Sequence, residues 1–143
     1  MMNVLSSTLL WGTVAGVIHF VVVGALYGNP FVDRLYRRAT ESEPGVRRWA
    51  SRRRYMLAMF AGTQVEVYFL ALAYFWLRPA VADASLAGTL SLGTLLAAVR
   101  VYPRFWNMWI QSTYPRRLLA VEVVNGTVGT VVIVLVLHFL AQT

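Results

Sequence analysis

Four long apolar runs alternate with short polar segments along this chain. The runs cover about 8–27, 56–77, 85–105 and 118–140, and few charged residues interrupt them. A helix needs roughly 20 apolar residues to cross a hydrocarbon core about 30 Å thick, so each run is long enough to span a membrane. The pattern predicts an all-α fold: an integral membrane four-helix bundle in up-down-up-down order, forming a single transmembrane domain over 1–143.

The polar segment 31–55 separates the first two spans and carries eight arginines. Such an excess of arginine in a short loop marks the cytoplasmic side of a membrane, which would place both termini outside. Within the segment, 31–39 mixes apolar and aromatic residues with arginine, a pattern typical of a short helix in the headgroup plane. Beyond the second span, we expect Asp83 to cap the third helix and Pro103 to kink or end it.

Composition supports a membrane protein and argues against a soluble one. Of 143 residues, 58% are hydrophobic and only 13% are charged, whereas about 25% are charged in a typical soluble domain. The net charge of +7 comes from arginine alone, because the chain has no lysine. These arginines flank apolar spans, so we expect membrane lipids as partners and no nucleic acid. We expect a multi-pass protein of the bacterial cytoplasmic (inner) membrane.

Four ionisable side chains inside the predicted spans need partners, because an unpaired charge in hydrocarbon is costly. His19 and Glu66 both lie roughly 15 Å from the ends of their spans, near the midplane. Helices joined in sequence are normally neighbours, so we expect these two side chains to pair. Arg100 and Glu122 lie about 8 Å and 6 Å from the cytoplasmic boundary, which predicts a second pair. Each pair serves either as a structural clamp or as a functional site.

Polar and small residues near these charges complete the predicted interior. The candidates for a pocket are Thr63, Asn107, Asn125 and Tyr102. The glycines expected to let helices approach closely are Gly12, Gly16, Gly24, Gly28, Gly126 and Gly129. His138 falls near the outer surface, roughly 12 Å from the depth of His19, which excludes a haem held by both histidines. No metal-binding spacing or phosphate loop is present, and cysteine is absent, so we expect no metal and no cofactor.

Several short motifs resemble those of a known family. They are the run 16–20 (GVIHF), the turn 27–31 (YGNPF), and the segment 114–119 (YPRRLL) followed by the glycines of the fourth helix. Together they are similar to an uncharacterised family of small four-helix bacterial membrane proteins, one of the domains of unknown function. That resemblance implies the fold and no activity.

A second, looser likeness involves 100–102 (RVY). The pattern is similar to the thiol-activating arginine and tyrosine of the membrane-associated eicosanoid and glutathione metabolism family, which has about this length and four helices. This likeness would imply an enzyme.

Three functions fit these patterns. The first is an assembly or accessory subunit of a membrane complex or homo-oligomer, since glycine lines three helices and no enzyme signature is present. The second is an enzyme or carrier for a small amphiphilic or lipid substrate held between the helices, near His19, Glu66 and Arg100. The third is proton-coupled transport through an oligomer, with His19 and Glu66 exchanging a proton. We expect the first, a non-enzymatic role.

Overall fold

A computed structural model describes residues 3–43, 46–81 and 85–142. Its secondary structure in those ranges is entirely helical, as predicted. The five helices are α1 (Val4–Tyr27), α2 (Pro30–Ser42), α3 (Arg52–Val81), α4 (Leu86–Gln111) and α5 (Arg116–Leu140).

Four of the five helices are long and apolar enough to cross a membrane: Val4–Tyr27, Arg52–Ala80, Leu86–Gln111 and Arg116–Leu140. This confirms the four spans predicted from the apolar runs, and it supports a membrane protein. The path of these helices across a bilayer and the outward position of the termini stay predictions.

The helix boundaries follow from local capping. The side chain of Asn3 accepts a hydrogen bond from the Ser6 N–H at 2.8 Å, which starts α1 before the predicted residue 8. Ser85 accepts from the Gly88 N–H at 3.0 Å and caps α4. Asp83, the predicted cap, lies outside the described residues. These short polar side chains satisfy N–H groups that have no partner inside the helix.

Proline does not end the third span, although we expected Pro103 to kink or end it. The helix α4 runs through Pro103 to Gln111. A proline removes one backbone hydrogen bond, and transmembrane helices tolerate that loss because neighbouring groups and local adjustments satisfy the freed carbonyl. The polar residues after Pro103 therefore remain part of α4.

The predicted short helix in the arginine-rich segment is present as α2. Pro30 occupies its first turn, where a missing N–H costs nothing. Asn29 caps it by accepting from the Phe31 N–H at 2.9 Å. Gly28 ends α1 immediately before, with its N–H bonded to the Gly24 carbonyl at 2.9 Å. The turn between α1 and α2 therefore folds α2 back beside one end of the bundle.

The long helices pack most extensively as three pairs: α1 with α3, α4 with α5, and α1 with α5. Contacts between α3 and α4 are fewer, although these helices are consecutive in the chain. The helices α1 and α3 run antiparallel, because Gly12 faces Tyr68 and Gly16 faces Gln64. The bundle is thus held chiefly through α1 and α5. Its central core consists of Ala15, Val67, Leu70, Ala71, Tyr74, Leu92, Leu96, Ile133, Val134 and Leu137.

Four of the six predicted packing glycines lie in close contact with another helix. A Cβ atom would lie within 3.5 Å of a side chain on the neighbouring helix at each of Gly12, Gly16, Gly126 and Gly129. Gly24 and Gly28, which we expected to serve a second neighbour or a protomer, do not pack on another helix of this chain in this way. A Cβ at Gly24 would have open space around it, and one at Gly28 would meet only backbone of its own helix. Both glycines line the central cavity described below, and contact with a protomer stays a prediction.

Candidate functional site

Glu66 and Arg100 form a bidentate ion pair between α3 and α4. Arg100 Nε donates to Glu66 Oε1 and Arg100 Nη2 donates to Glu66 Oε2, both at 2.7 Å. Arg100 Nη1 donates to the Thr130 hydroxyl at 2.8 Å, and that hydroxyl donates to the Gly126 carbonyl at 2.8 Å. A bidentate guanidinium–carboxylate contact is the strongest way to hold two such charges together. It connects α3, α4 and α5 near the middle of the bundle.

This pairing corrects both predicted pairs. We expected His19 to pair with Glu66 and Arg100 to pair with Glu122, whereas Arg100 binds Glu66. Side chains on a helix lean toward its N-terminus. Because α4 and α5 run in opposite directions, Arg100 leans toward one end of the bundle and Glu122 toward the other. The two side chains therefore diverge. Their Cα atoms also lie at different levels, because α4 and α5 contact each other with Gly93 beside Val134 and Val101 beside Gly126. This register places Arg100 about five residues, or roughly 7 Å, from the level of Glu122.

Glu122 instead accepts hydrogen bonds from two tyrosines, one at the end of α1 and one in α2. The hydroxyl of Tyr27 donates to Glu122 Oε2 at 3.0 Å, and the hydroxyl of Tyr36 donates to Glu122 Oε1. Arg104 Nη2 lies 3.7 Å from the same carboxylate. Burial, reinforced by the negative charge of Glu122, raises the pKa of Tyr36 above its usual 10.0. The contact also joins α2 to α5.

These partners were missed in the sequence, but periodicity could have found two of them. Tyr27 lies eight residues after His19, and Thr130 lies eight residues after Glu122, so each pair shares a helix face. Tyr36 and Arg104 offered a weaker signal, because both lie among other arginines and aromatic residues near the arginine-rich segment. Only the folded chain shows which of those residues turn inward.

His19 lies against α5 rather than against Glu66. Its side chain is 4% exposed, and a Cβ at Gly129 would be 2.5 Å from its Nε2 atom. The imidazole thus occupies the space that the glycine leaves open. Its Nδ1 atom is buried and has no hydrogen-bond partner in the described part of the chain. An unsatisfied buried polar atom costs about 1–3 kcal/mol, and water or a ligand could satisfy this nitrogen where the described residues do not.

A cavity of about 770 Å³ connects these groups. Six of the eight predicted polar site residues line it: His19, Thr63, Glu66, Arg100, Glu122 and Asn125. We call the part beside His19, Glu66 and Arg100 the deep end, and the part beside Arg47 and Arg52 the mouth. The mouth adjoins α2 and the segment between α2 and α3. The ionisable residues of the spans thus surround one common space, although their pairing differs from the prediction.

Two predicted pocket residues do not line this cavity. Tyr102 is 62% exposed and stacks on Trp106 with ring centroids 6.3 Å apart, and Asn107 is exposed. The lining face of α4 is centred on Arg104 and Met108, with Arg100 at one edge. Asn107 falls outside that edge and Tyr102 points to the opposite side, because successive helical residues are 100° apart.

His138 packs between helices. It is 4% exposed, and its Nδ1 shares a hydrogen bond of 2.8 Å with the Thr89 hydroxyl between α4 and α5. Its Nε2 lies 2.8 Å from Gln142 Nε2, just beyond the end of α5, and its position near the outer membrane surface stays a prediction. In residues 3–43, 46–81 and 85–142, no group of three His, Asp or Glu side chains comes close enough together to hold a metal ion.

Comparison with known proteins places the chain in a family without adding chemistry. No curated protein matches it, and no solved structure does. The likeness to the membrane-associated eicosanoid and glutathione metabolism family has no support from these comparisons. A family model described as "Protein of unknown function (DUF1761)" matches residues 11–138, which include all five helices in whole or large part. This small helical membrane protein therefore belongs to the DUF1761 family, as its glycine and aromatic–proline motifs predicted.

Proposed function

We propose that this protein binds a small amphiphilic molecule in its central cavity and acts as a membrane-embedded binding protein or carrier. The cavity itself is the observation on which the proposal depends. Its volume of about 770 Å³ lies within the range of roughly 300–1,000 Å³ that is usual for small-molecule sites. A cavity of that size, lined by apolar side chains with a few convergent polar groups, is the ordinary form of a ligand site.

The polar side chains at the deep end of the cavity favour a polar group of the ligand or ordered water there. His19 Nδ1 is buried without a hydrogen-bond partner in the described residues, and His19 lines the cavity. The Glu66 side chain keeps 39% of its exposure even though Arg100 occupies both of its oxygens. Hydrocarbon alone would leave these groups unsatisfied, so the site favours a ligand that brings a polar group or ordered water.

The walls between the deep end and the mouth support an apolar portion of the ligand. Apolar side chains from α1, α3 and α4 face this part of the cavity: Phe20, Val23, Met56, Met59, Phe105 and Met108. Methionine is flexible and polarisable, which suits a surface that must adapt to an alkyl or ring system. A molecule with one polar and one apolar part would complement both regions.

The location in the cell remains part of the proposal. The eight arginines of 31–55 favour a cytoplasmic position for α2 and the mouth, in a bacterial cytoplasmic membrane. With that orientation, the ligand would enter from the cytoplasmic side or from the inner leaflet.

Two other predicted functions have less support from the geometry. The assembly role was inferred from glycine faces, but Gly12, Gly16, Gly126 and Gly129 are occupied by contacts within the chain. Association with other copies or proteins stays a prediction. The proton-exchange role required a His19–Glu66 contact, whereas Glu66 is held by Arg100. Ligand binding needs neither condition.

A cavity-filling substitution tests the proposal. Gly24 lines the cavity, and a Cβ there would have nothing within 4 Å. Gly24→Phe would therefore add a ring at the wall of the cavity, on a Cβ atom that meets no neighbour within 4 Å. Gly62→Phe is the matched control, because Gly62 is equally open, lies within a long helix, and is not among the residues that line the cavity. We expect native mass spectrometry to show a small bound molecule on the wild type and on Gly62→Phe, and to show its loss from Gly24→Phe.

The same experiment can reject the proposal. A wild-type protein that carries no small molecule, when extracted in mild detergent from the cells that express it, would contradict binding. Equal occupancy in Gly24→Phe and Gly62→Phe would place any bound lipid on the outer surface of the bundle, where ordinary annular lipids lie. Circular dichroism on both variants checks that each is as helical as the wild type.

A further inference from the structure

Of the five arginines that line the cavity, three are paired with a described carboxylate and two are not. Three carboxylates line the cavity, and each has an arginine of its own. The pairs are Asp33 with Arg37 at 2.8 Å, Glu66 with Arg100 at 2.7 Å, and Glu122 with Arg104 at 3.7 Å. Arg47 and Arg52 also line the cavity, and no described carboxylate lies within 4 Å of either. The mouth therefore holds two positive charges that the described protein leaves unbalanced.

Aromatic packing holds one of these arginines in place. The Arg47 guanidinium lies 4.5 Å from the centre of the Trp49 ring. Trp49 in turn packs edge-on against Tyr55, with centroids 5.7 Å apart. Stacking on a tryptophan face restricts a guanidinium while its N–H donors stay free in the plane. Arg47 is therefore arranged in advance to bind an acceptor at the mouth.

The start of α3 breaks a local rule at the same place. Arginines occupy its first three positions, 52–54, and the first turn contains no acidic residue. The N-terminus of a helix carries partial positive charge, so cations there are unfavourable and anions are favourable. Local rules are broken most often at functional sites, where a ligand offsets the cost. An anion at the mouth would interact with both the helix end and Arg52.

A buried polar atom at the deep end provides a separate indication that the cavity receives a ligand. His19 is 4% exposed, and its Nδ1 atom has no partner in the described chain. His19 lies on α1, far in sequence from the arginines of the mouth. The argument for an occupant of the cavity thus does not depend on the charges at its mouth.

We propose that the ligand is an amphiphile with an oxyanion headgroup, a phosphate or a carboxylate, which Arg47 and Arg52 bind at the mouth. This inference rests on the proposed function, because it assigns the headgroup class of the same ligand. The two guanidinium groups and the end of α3 bind the anion, and the apolar walls accept the chain behind it. Ordered water fills the deep end beyond the chain, where it is a partner for His19 Nδ1. Guanidinium groups match both oxyanions in geometry and in charge.

Binding of defined probes to the full chain tests this assignment. The protein would be placed in nanodiscs of phosphatidylcholine, whose headgroup has no net charge. Affinities for dodecyl phosphate, dodecanol and inorganic phosphate would then be measured by native mass spectrometry and calorimetry. The test variant is Arg47→Gln/Arg52→Gln. The control variant is Arg53→Gln/Arg54→Gln, which removes the same net charge from the first turn of α3 but from residues not among those that line the cavity.

We expect the wild type to bind dodecyl phosphate at least about tenfold more tightly than dodecanol, because the phosphate adds charge-assisted hydrogen bonds. We expect a similar advantage over inorganic phosphate, because the alkyl chain adds apolar burial. Arg47→Gln/Arg52→Gln should remove that advantage and still bind dodecanol, which shows that the variant is folded. Arg53→Gln/Arg54→Gln should keep most of it. Equal losses in both variants would indicate general surface charge and overturn the assignment.

The remaining outcomes distinguish this inference from the proposed function. Equal wild-type affinity for dodecanol and dodecyl phosphate would overturn the oxyanion headgroup and leave amphiphile binding standing. Inorganic phosphate binding as tightly as dodecyl phosphate would overturn the role of the apolar chain. Failure to bind either amphiphile would remove both proposals together.

Discussion

Breaking the Glu66–Arg100 pair should cost stability in a way that identifies the pair. Two charge-assisted hydrogen bonds of 2.7 Å join these side chains, and such bonds contribute about 1.5–3 kcal/mol each. The Arg100 side chain is 15% exposed, but that of Glu66 is 39% exposed, so solvent in the cavity weakens the interaction. We therefore expect a coupling energy of about 2–3 kcal/mol between the two residues, near the upper end for contacting pairs.

A double-mutant cycle of Glu66→Leu and Arg100→Leu measures this energy. Each single substitution leaves one charge without its partner and should lower the free energy of unfolding by about 2–4 kcal/mol. The double substitution should be less destabilising than the sum, because both charges are gone. Unfolding free energies would come from titration with sodium dodecyl sulphate in mixed micelles, followed by circular dichroism.

Two further cycles test the pairs that sequence alone suggested. Glu66→Leu with His19→Leu, and Arg100→Leu with Glu122→Leu, should each give coupling below about 0.5 kcal/mol, the usual limit for independent sites. The reasoning is refuted if Glu66 couples more strongly to His19 than to Arg100. It is also refuted if the Glu66–Arg100 cycle is additive within error.

Two more outcomes follow from the packing and the ionisable groups. Gly129→Ala should destabilise by about 1–3 kcal/mol, because its Cβ would lie 2.5 Å from His19 Nε2. Gly62→Ala has open space and should stabilise by about 0.5–1 kcal/mol in the same sodium dodecyl sulphate titration. The reverse order of stabilities would contradict the packing of α1 on α5. Burial beside Glu122 raises the pKa of Tyr36 above 10.0, so its contribution to stability is complete below about pH 10 and is lost as the pH rises further. Stability measured between about pH 9 and 11 should fall with pH, and Tyr36→Phe should make that decline shallower; an unchanged slope would contradict a buried Tyr36.

The spans could be predicted because one physical requirement dominates them. A chain in hydrocarbon must satisfy its backbone groups internally, so a run of about 20 apolar residues has to be a helix whatever packs around it. The four apolar helices follow from that requirement alone. The short helix α2 followed from local rules, with Asn29 as its cap and Pro30 in its first turn.

The candidate site could be predicted in its members but not in its connections. Hydropathy marks Glu66, Arg100 and Glu122 as costly residues inside apolar runs, and all three line the cavity. Depth counted along the helix axis then suggested the wrong partners. The contacts of Gly93 with Val134 and of Val101 with Gly126 put Arg100 about five residues, or roughly 7 Å, from the level of Glu122. Depth counted from the predicted ends of the spans could not show this register.

The sequence by itself determined that this chain forms apolar helices with a few expensive charges inside and an excess of arginine at one end. Each of those features depends on local composition and on the solvent that a membrane provides. Only the tertiary structure decided that α1 packs on α5 as well as on α3, that Arg100 reaches Glu66, and that a cavity stays open between them. Pairing and cavity shape depend on side-chain direction and on the order of helices around the bundle, and a single chain's sequence records neither.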